Sequence, residues 1–218
     1  MIKLVIFDLD GTLLYTLEDL ANSCNFVLEK YGQPKHTIDE YRYLVGSGVE
    51  VLLQKAFGDS FSLQNKQFVL ENFLEYYAVH QYDTTRPYAE IPFVLHVLQE
   101  QNKMLAVASN KMDKATKLLI HKYFSNINFN VVLGASNDMP TKPNPAIINK
   151  ILSLCGVKKE ETIYIGDSNI DMETAKNAGV KSIGALWGYR SKKELVESGA
   201  DFLALSPIDI VEFIANNL

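Results

Sequence analysis

The 218 residues are 47% apolar and 22% charged, which excludes a disordered chain and provides for one large core or a core with a small second module. Lys and Arg number 21 against 26 Asp and Glu, a net charge of -5, so the electrostatic footprint of a general nucleic-acid binder is missing. No apolar run reaches membrane-spanning length, and the run that ends at Asp8 is too short for a signal peptide, so neither a membrane nor a secretory route is expected and a cytoplasmic protein is.

The first predicted element is Leu4-Val5-Ile6-Phe7, a continuous apolar run of the kind found in central strands covered on both faces. It ends on Asp8-Leu9-Asp10-Gly11-Thr12. Two carboxylates two residues apart leave an apolar strand that would not tolerate unpaired charge. Taken alone, these five residues also suit an ordinary strand-end turn.

From about Leu17 to Gln81 only helical patterns occur. Cys24 falls here and Cys155 much later; both sit on helix-like apolar segments and read as reduced, buried thiols. Thr37-Ile38-Asp39-Glu40 reads as a capping box, and Gly32 and Gly58 as helix ends. An aromatic-rich helix runs from Phe68 to Tyr82, where Phe73, Tyr76 and Tyr77 at helical spacing suit internal packing. The polar stretch Asp83 to Pro87 then leads back to the sheet.

Further strand runs follow at Met104–Ala108, Val131–Leu133, Thr162–Ile165 and Ser182–Leu186, with helical patterns between them. Alternation of this kind specifies a parallel α/β sheet. The fold expected is therefore a Rossmann-like parallel core, residues 1–15 and 83–218, with an all-helical module, 16–82, inserted after the first strand.

Polar groups mark the ends of these runs, where ligands bind in open α/β sheets. Ser109-Asn110-Lys111 follows one strand; its hydroxyl and amide suit phosphate oxygens, although Ser109 alone equally suits a helix N-cap. Lys142-Pro143-Asn144-Pro145 offers a cation beside a proline-stiffened helix start. Gly166-Asp167-Ser168-Asn169-Ile170-Asp171 places two carboxylates about one helical turn apart, able to face one site. Hard oxygen ligands of this kind suit Mg²⁺.

In this order, the four segments resemble the four motifs of the haloacid dehalogenase-like hydrolases, and the match spans the whole chain. The resemblance implies a Mg²⁺-dependent phosphomonoester hydrolase with Asp8 as nucleophile, Asp10 as general acid and base, and Lys142 as a catalytic cation. It implies phosphate contacts from Thr12, Ser109, Asn110 and Lys142. A metal would be held by Asp8, the Asp10 backbone carbonyl and Asp167, with Asp171 either a further metal ligand or the group that orients Lys142 or a metal-bound water. The helical insertion implies a mobile cap, hinged at Tyr15–Leu17 and Tyr82–Pro87. A dehalogenase is disfavoured because the second acid and the metal aspartates are present. A non-catalytic regulator is disfavoured for the same reason.

Within this family, Val45-Gly46-Ser47-Gly48-Val49, Arg86-Pro87-Tyr88, Ser109-Asn110-Lys111 and Trp187-Gly188-Tyr189-Arg190 are similar to segments of phosphoglycolate phosphatases. That similarity implies 2-phosphoglycolate or a similar small phosphorylated metabolite as substrate, with Gly46 and Ser47 reaching towards it. Pyrophosphatases, nucleotidases, sugar-phosphate phosphatases and phosphomutases share the core motifs and stay open as alternatives. Two positions depart from the pattern: Tyr15 precedes Thr16, and Ala89-Glu90 follows Tyr88 where Pro-Gly is usual. Gly46-Ser47-Gly48 also suits a plain interhelical turn. Arg42 and Arg190 read by default as solvated charges, and no histidine lies near a motif. A monomer and a homodimer fit the sequence equally.

Overall fold

A computed structural model describes residues 1–216. Its centre is a six-stranded parallel sheet formed by β1 (Leu4–Phe7), β4 (Met104–Met112), β5 (Val131–Ala135), β6 (Thr162–Gly166), β7 (Lys181–Ala185) and β8 (Phe202–Ala204). The spatial order is β5-β4-β1-β6-β7-β8, and every neighbouring pair is parallel. The order reverses at β1, and at such a switch point a crevice opens beyond the strand ends. β1 lies between β4 and β6 in register, Phe7 opposite Val107 on one side and Ile165 on the other.

Strand alternation divides the core into two apolar layers. Val5 and Phe7 face a layer completed by α5 (Ile91–Glu100), α6 (Asp113–Tyr123) and α10 (Ile208–Asn216). Leu4 and Ile6 face the opposite layer, with α7 (Ala146–Cys155) and α8 (Asn169–Ala178). Burial on both faces explains why β1 has no polar residue at all. The short helix α9 (Lys192–Glu197) covers β7 through Leu195.

The helical insertion comprises α1 (Leu17–Lys30), α2 (Ile38–Leu44), α3 (Val49–Phe57) and α4 (Lys66–His80). It has an apolar core of its own, including Leu20, Leu28, Tyr41, Leu53 and Phe73. The capping box at Thr37 and Glu40 is formed, and Gly58 ends α3. Phe73 and Tyr77 are buried there, while Tyr76 stacks between Phe26 and His80. Cys24 is buried in this module, whereas Cys155 at the end of α7 is only half-buried, contrary to expectation. Its place in the last turn of a helix facing solvent accounts for that.

Where the chain leaves and re-enters the core, β2 (Leu14–Tyr15) pairs antiparallel with β3 (Arg86–Pro87). This two-strand ribbon was not expected from the sequence. A second tie lies beside it. Asp19, 1% exposed on α1, accepts hydrogen bonds from the Thr84 amide (2.9 Å) and hydroxyl (2.6 Å), and from the Thr85 amide (2.9 Å) and hydroxyl (2.7 Å). The buried charge is satisfied by four donors, two of them backbone groups that would otherwise be orphaned. Asp19→Ala is therefore expected to lower the unfolding free energy by roughly 2–4 kcal/mol. Urea denaturation followed by circular dichroism measures this, and a change below about 0.5 kcal/mol would contradict it.

Candidate active site

The crevice at the β1/β6 switch point collects the four sequence segments. Asp8 follows β1 directly, and Asp167 follows β6. Asp171 lies in the first turn of α8, one turn after Asp167, and Lys142 stands in the loop between β5 and α7. Oxygens of Asp8, Asp167 and Asp171 come within 4.8 Å of one another.

The Lys142 ammonium is the hub of this cluster. It donates to Asp8 Oδ1 (2.8 Å), Asp171 Oδ1 (2.7 Å), the Tyr164 hydroxyl (2.8 Å) and the Ala108 carbonyl (3.1 Å). Its side chain is 2% exposed. Burial by itself would strip its proton, but Asp171 and Asp8 reverse that and hold its pKa above the ordinary lysine range.

The carboxylates answer differently to the same neighbourhood. Burial, offset in part by Lys142 and reinforced by Asp171, pushes Asp8 up to about 7. Burial, with Asp171 and Asp8 adding to it, lifts Asp167 well above the usual carboxylate range. Asp171 is buried too, yet Lys142 and three hydrogen-bond donors hold it below its ordinary value. Those donors are the Tyr164 hydroxyl (2.8 Å) on Oδ1 and the Ser168 amide (3.1 Å) and hydroxyl (2.6 Å) on Oδ2. Both oxygens of Asp171 are thus committed to protein donors, which suits it to aim Lys142. The Tyr164 hydroxyl was invisible in the sequence, where the residue reads as part of an apolar strand.

Asp10 points elsewhere. Its Oδ1 accepts from the Thr16 hydroxyl (2.6 Å), and Lys111 Nζ reaches both its oxygens (3.0 and 3.2 Å). Its side chain therefore lies outside the acidic cluster, so only its main chain could join a metal shell. Neither Thr16 nor Lys111 carried an assigned role in the sequence reading.

Ser109, Asn110 and Lys111 are all buried, although consecutive residues of a regular strand face opposite ways. The β4–β5 register shifts between Ala108 and Met112, and that irregularity turns the three towards the site. The Asn110 side chain donates to the Lys142 carbonyl (3.1 Å) and the Gly46 carbonyl (3.0 Å), and accepts from the Lys142 amide (2.8 Å). It is occupied in joining the end of β4 to two loops. The Ser109 hydroxyl accepts from the Lys111 amide (3.2 Å) and borders the cavity. Thr12 is fully buried and donates to Asp167 Oδ1 (3.3 Å), so it supports a carboxylate from below. Gly46 contributes its carbonyl and lines the cavity; Ser47 is half-buried in the adjoining turn and is not part of the lining.

Two glycines are required by close approach to Asp167. A Cβ on Gly11, whose φ is +90°, would lie 2.3 Å from Asp167 Oδ2; one on Gly188 would lie 2.2 Å from Asp167 Cβ. Beside them, the Tyr189 amide donates to Asp167 Oδ2 (2.7 Å). The Tyr189 hydroxyl accepts from the Thr16 amide (3.1 Å), and its ring joins the core of the helical module.

Arg190 is not a solvated charge, contrary to expectation: it is 7% exposed. It donates to the Val45 carbonyl (3.0 Å), pairs with Glu194 (3.1 Å) and stacks over Tyr43 at 5.3 Å. These partners come together only in the fold. Arg42, by contrast, is half-buried at the surface and pairs with Asp39.

The helical module and the sheet edge together bound a cavity of about 260 Å³. Asp8, Asp10, Asp167, Ser109 and Lys111 form its polar floor, and Leu20, Val49, Leu52, Phe73 and Leu74 its apolar roof. Among the described residues, no helix is long and apolar enough to cross a membrane.

Residues 5–185 match the family model described as haloacid dehalogenase-like hydrolase. The chain is 31% identical to a phosphoglycolate phosphatase of Aquifex aeolicus, covering 99% of this chain and 98% of that protein. It is 30% identical to a phosphoglycolate phosphatase of Vibrio parahaemolyticus, over 98% and 96% respectively. A crystal structure from Lactobacillus delbrueckii subsp. bulgaricus, provisionally named a phosphoglycolate phosphatase, superposes with a TM-score of 0.91 at 30% identity, covering 97% of this chain and 98% of that one. With a parallel core ordered around β1 and a match over most of its length, the chain belongs to the haloacid dehalogenase-like hydrolases.

Proposed function

We propose that this protein is a magnesium-dependent phosphomonoesterase that works through an aspartyl-phosphate on Asp8, with 2-phosphoglycolate or a similar small phosphorylated metabolite as substrate. The observation that carries the reading is the Lys142 ammonium bonded to Asp8 and Asp171 at the switch point of a parallel sheet. The relatives named as phosphoglycolate phosphatases over nearly the full length support the substrate.

In the first half-reaction an Asp8 oxygen attacks phosphorus and the bond to the leaving oxygen breaks. Asp10, two residues on, gives that oxygen a proton. In the second half-reaction Asp10 takes a proton from water, the water oxygen attacks phosphorus, and the phosphorus–Asp8 bond breaks. Dividing the displacement this way replaces one difficult step by two easier ones. Lys142 and the Ser109 hydroxyl offer charge and a donor to phosphoryl oxygens, and such electrostatic stabilisation dominates phosphoryl transfer. Thr12, Gly11 and Gly188 act at one remove by fixing Asp167.

The donor set fits a hard divalent cation. It consists of carboxylate oxygens with no nitrogen or sulfur, and three buried carboxylates with the half-buried Asp10 face only two lysine ammonium groups. Asp8, Asp167 and the Asp10 backbone would hold Mg²⁺, which would supply charge neutralisation and polarise a phosphoryl oxygen. We assign residues 16–82 as a cap and 1–15 with 83–218 as the catalytic core, the β2–β3 ribbon being the hinge between them. Closure over the cavity would exclude water from the reacting centre. Two free cysteines suit a reducing, cytoplasmic setting.

Asp8→Asn is expected to lower kcat at least about 10³-fold, because an amide cannot displace the leaving group. Phosphate release from 2-phosphoglycolate and from an aryl phosphate measures this, and substantial turnover in the variant would overturn the assignment.

The metal makes a separate expectation. Asp8 at about 7 is raised above its unfolded value, so its bound proton favours the metal-free fold at low pH. That contribution is lost as pH rises through 7. Mg²⁺ must displace the same proton, so its apparent affinity falls up to roughly tenfold per pH unit below 7. The rise in Tm on adding Mg²⁺ should therefore be larger at pH 8 than at pH 5.5. An equal or larger rise at pH 5.5 would contradict a site built on Asp8 and Asp167.

A further inference from the structure

Lys111 is a second buried lysine at the site, and its charge is not needed by the phosphoryl group's own binding residues. Its side chain is 5% exposed, and it borders the cavity. A lysine ammonium removed from water is costly unless paired. Here the partner is Asp10, at 3.0 and 3.2 Å, with the Tyr77 ring 4.8 Å from the nitrogen. Burial would favour the neutral amine, but Asp10 outweighs it and keeps Lys111 charged.

The position of this charge relative to Asp10 is informative. Asp10 serves the ester oxygen of the substrate. In a phosphorylated hydroxy acid such as phosphoglycolate, one methylene separates that oxygen from the carboxylate carbon, a reach of about 2.5 Å. A cation within hydrogen-bonding distance of Asp10 is therefore within reach of a carboxylate one methylene beyond that oxygen. The other cations on the cavity wall are differently employed. Arg190 spends Nε on Glu194 and Nη2 on the Val45 carbonyl beside the Tyr43 ring, so that two of its three nitrogens are taken and only the buried Nη1 has no partner, and Lys114 is exposed to solvent. Lys142 does not line the cavity and is enclosed by Asp8, Asp171, Tyr164 and Ala108. The roof offers apolar side chains, which discriminate weakly between small polar tails.

We propose that Lys111 Nζ, while still held by Asp10, binds the second anionic group of the substrate, and so selects phosphomonoesters whose leaving group carries a carboxylate next to the ester carbon. This rests on the phosphatase reading above. Lys111 thereby becomes a specificity-determining residue as well as a positioning residue for Asp10.

The test compares 2-phosphoglycolate with 2-hydroxyethyl phosphate, a neutral-tailed ester of similar size, in the wild-type protein and in Lys111→Met, Lys111→Gln and Lys111→Arg, all with Mg²⁺. The readout is the ratio of kcat/KM for the two esters, so that a general loss from disturbing Asp10 cancels. The wild type should prefer phosphoglycolate. In Lys111→Met the ratio should fall about 100-fold, the effect of losing one charge-assisted hydrogen bond in a dry site. Lys111→Arg should retain most of it. Where Lys111→Met does not fold, Lys111→Gln, which keeps a polar head for Asp10, carries the same expectation. A ratio unchanged in the neutral variants, with both esters slowed equally, assigns Lys111 to Asp10 alone and overturns the proposal. A wild type that cleaves an aryl phosphate yet shows no preference for the carboxylate ester also overturns it, and leaves the phosphatase reading intact. A wild type inactive on every ester removes both.

Discussion

The Lys142 ammonium, buried between Asp8 and Asp171, is the contact on which the rest of the site depends. Three carboxylates crowd the end of an apolar sheet, where like charges and poor solvation both oppose ionisation. A single buried cation cannot relieve all three. It goes furthest towards Asp171, which is also served by Tyr164 and Ser168, and only part way towards Asp8. The cluster is thereby graded: Asp171 is held below its ordinary value, Asp8 is raised to about 7, and Asp167 is raised well above the usual carboxylate range. Such a gradient is what a site needs if a divalent cation and a phosphoryl group are to complete its charge. Several structural features serve this arrangement. Gly11 and Gly188 make room for Asp167, and Thr12 and the Tyr189 amide hold its oxygens.

The helical module meets the site through a few polar contacts as well as a shared apolar surface. Asn110 and Arg190 from the core reach the carbonyls of Gly46 and Val45 in the same loop. Tyr189 is bonded to Thr16 and packed among the module's apolar residues, while its amide holds Asp167. Thr16 in turn donates to Asp10. The chain's exit from the core is therefore coupled to the acid that would serve the leaving group. Any swing of the module about the β2–β3 ribbon would be felt at Asp10 and Asp167 through these bonds, without displacement of Asp8 on its central strand.

The central strands and the four polar segments were legible because they rest on local patterns. Leu4–Phe7 is apolar at every position since both faces are covered, and a charge after such a run announces a strand end. The helical insertion was legible by the loss of strand runs. What was not legible depends on partners far away in sequence. The β2–β3 ribbon has two residues per strand, too few for a period, and β8 is nearly as short. Arg190 gave no sign of burial, because its partners Val45 and Tyr43 lie on the inserted module. Thr12 suggested a phosphate donor by its place in the motif, yet its hydroxyl points to Asp167, 155 residues away. Lys111 and Asp10 are 101 residues apart, and neither position alone indicates an ion pair.

The apolar roof gives these charges their weight. Leu20, Val49, Leu52, Phe73 and Leu74 offer nothing to a phosphoryl group, but closed over the floor they would keep water from it. Exclusion of water lowers the local dielectric, which strengthens each pairing on the floor and raises the cost of any charge left without one. A substrate is then judged chiefly by whether it leaves the floor's charges satisfied. One that brings a phosphoryl group alone meets the Asp8 and Lys142 side of the site. One that also carries an anion near its ester oxygen meets the Lys111 side as well, so an unspecialised apolar cover can coexist with a selective site.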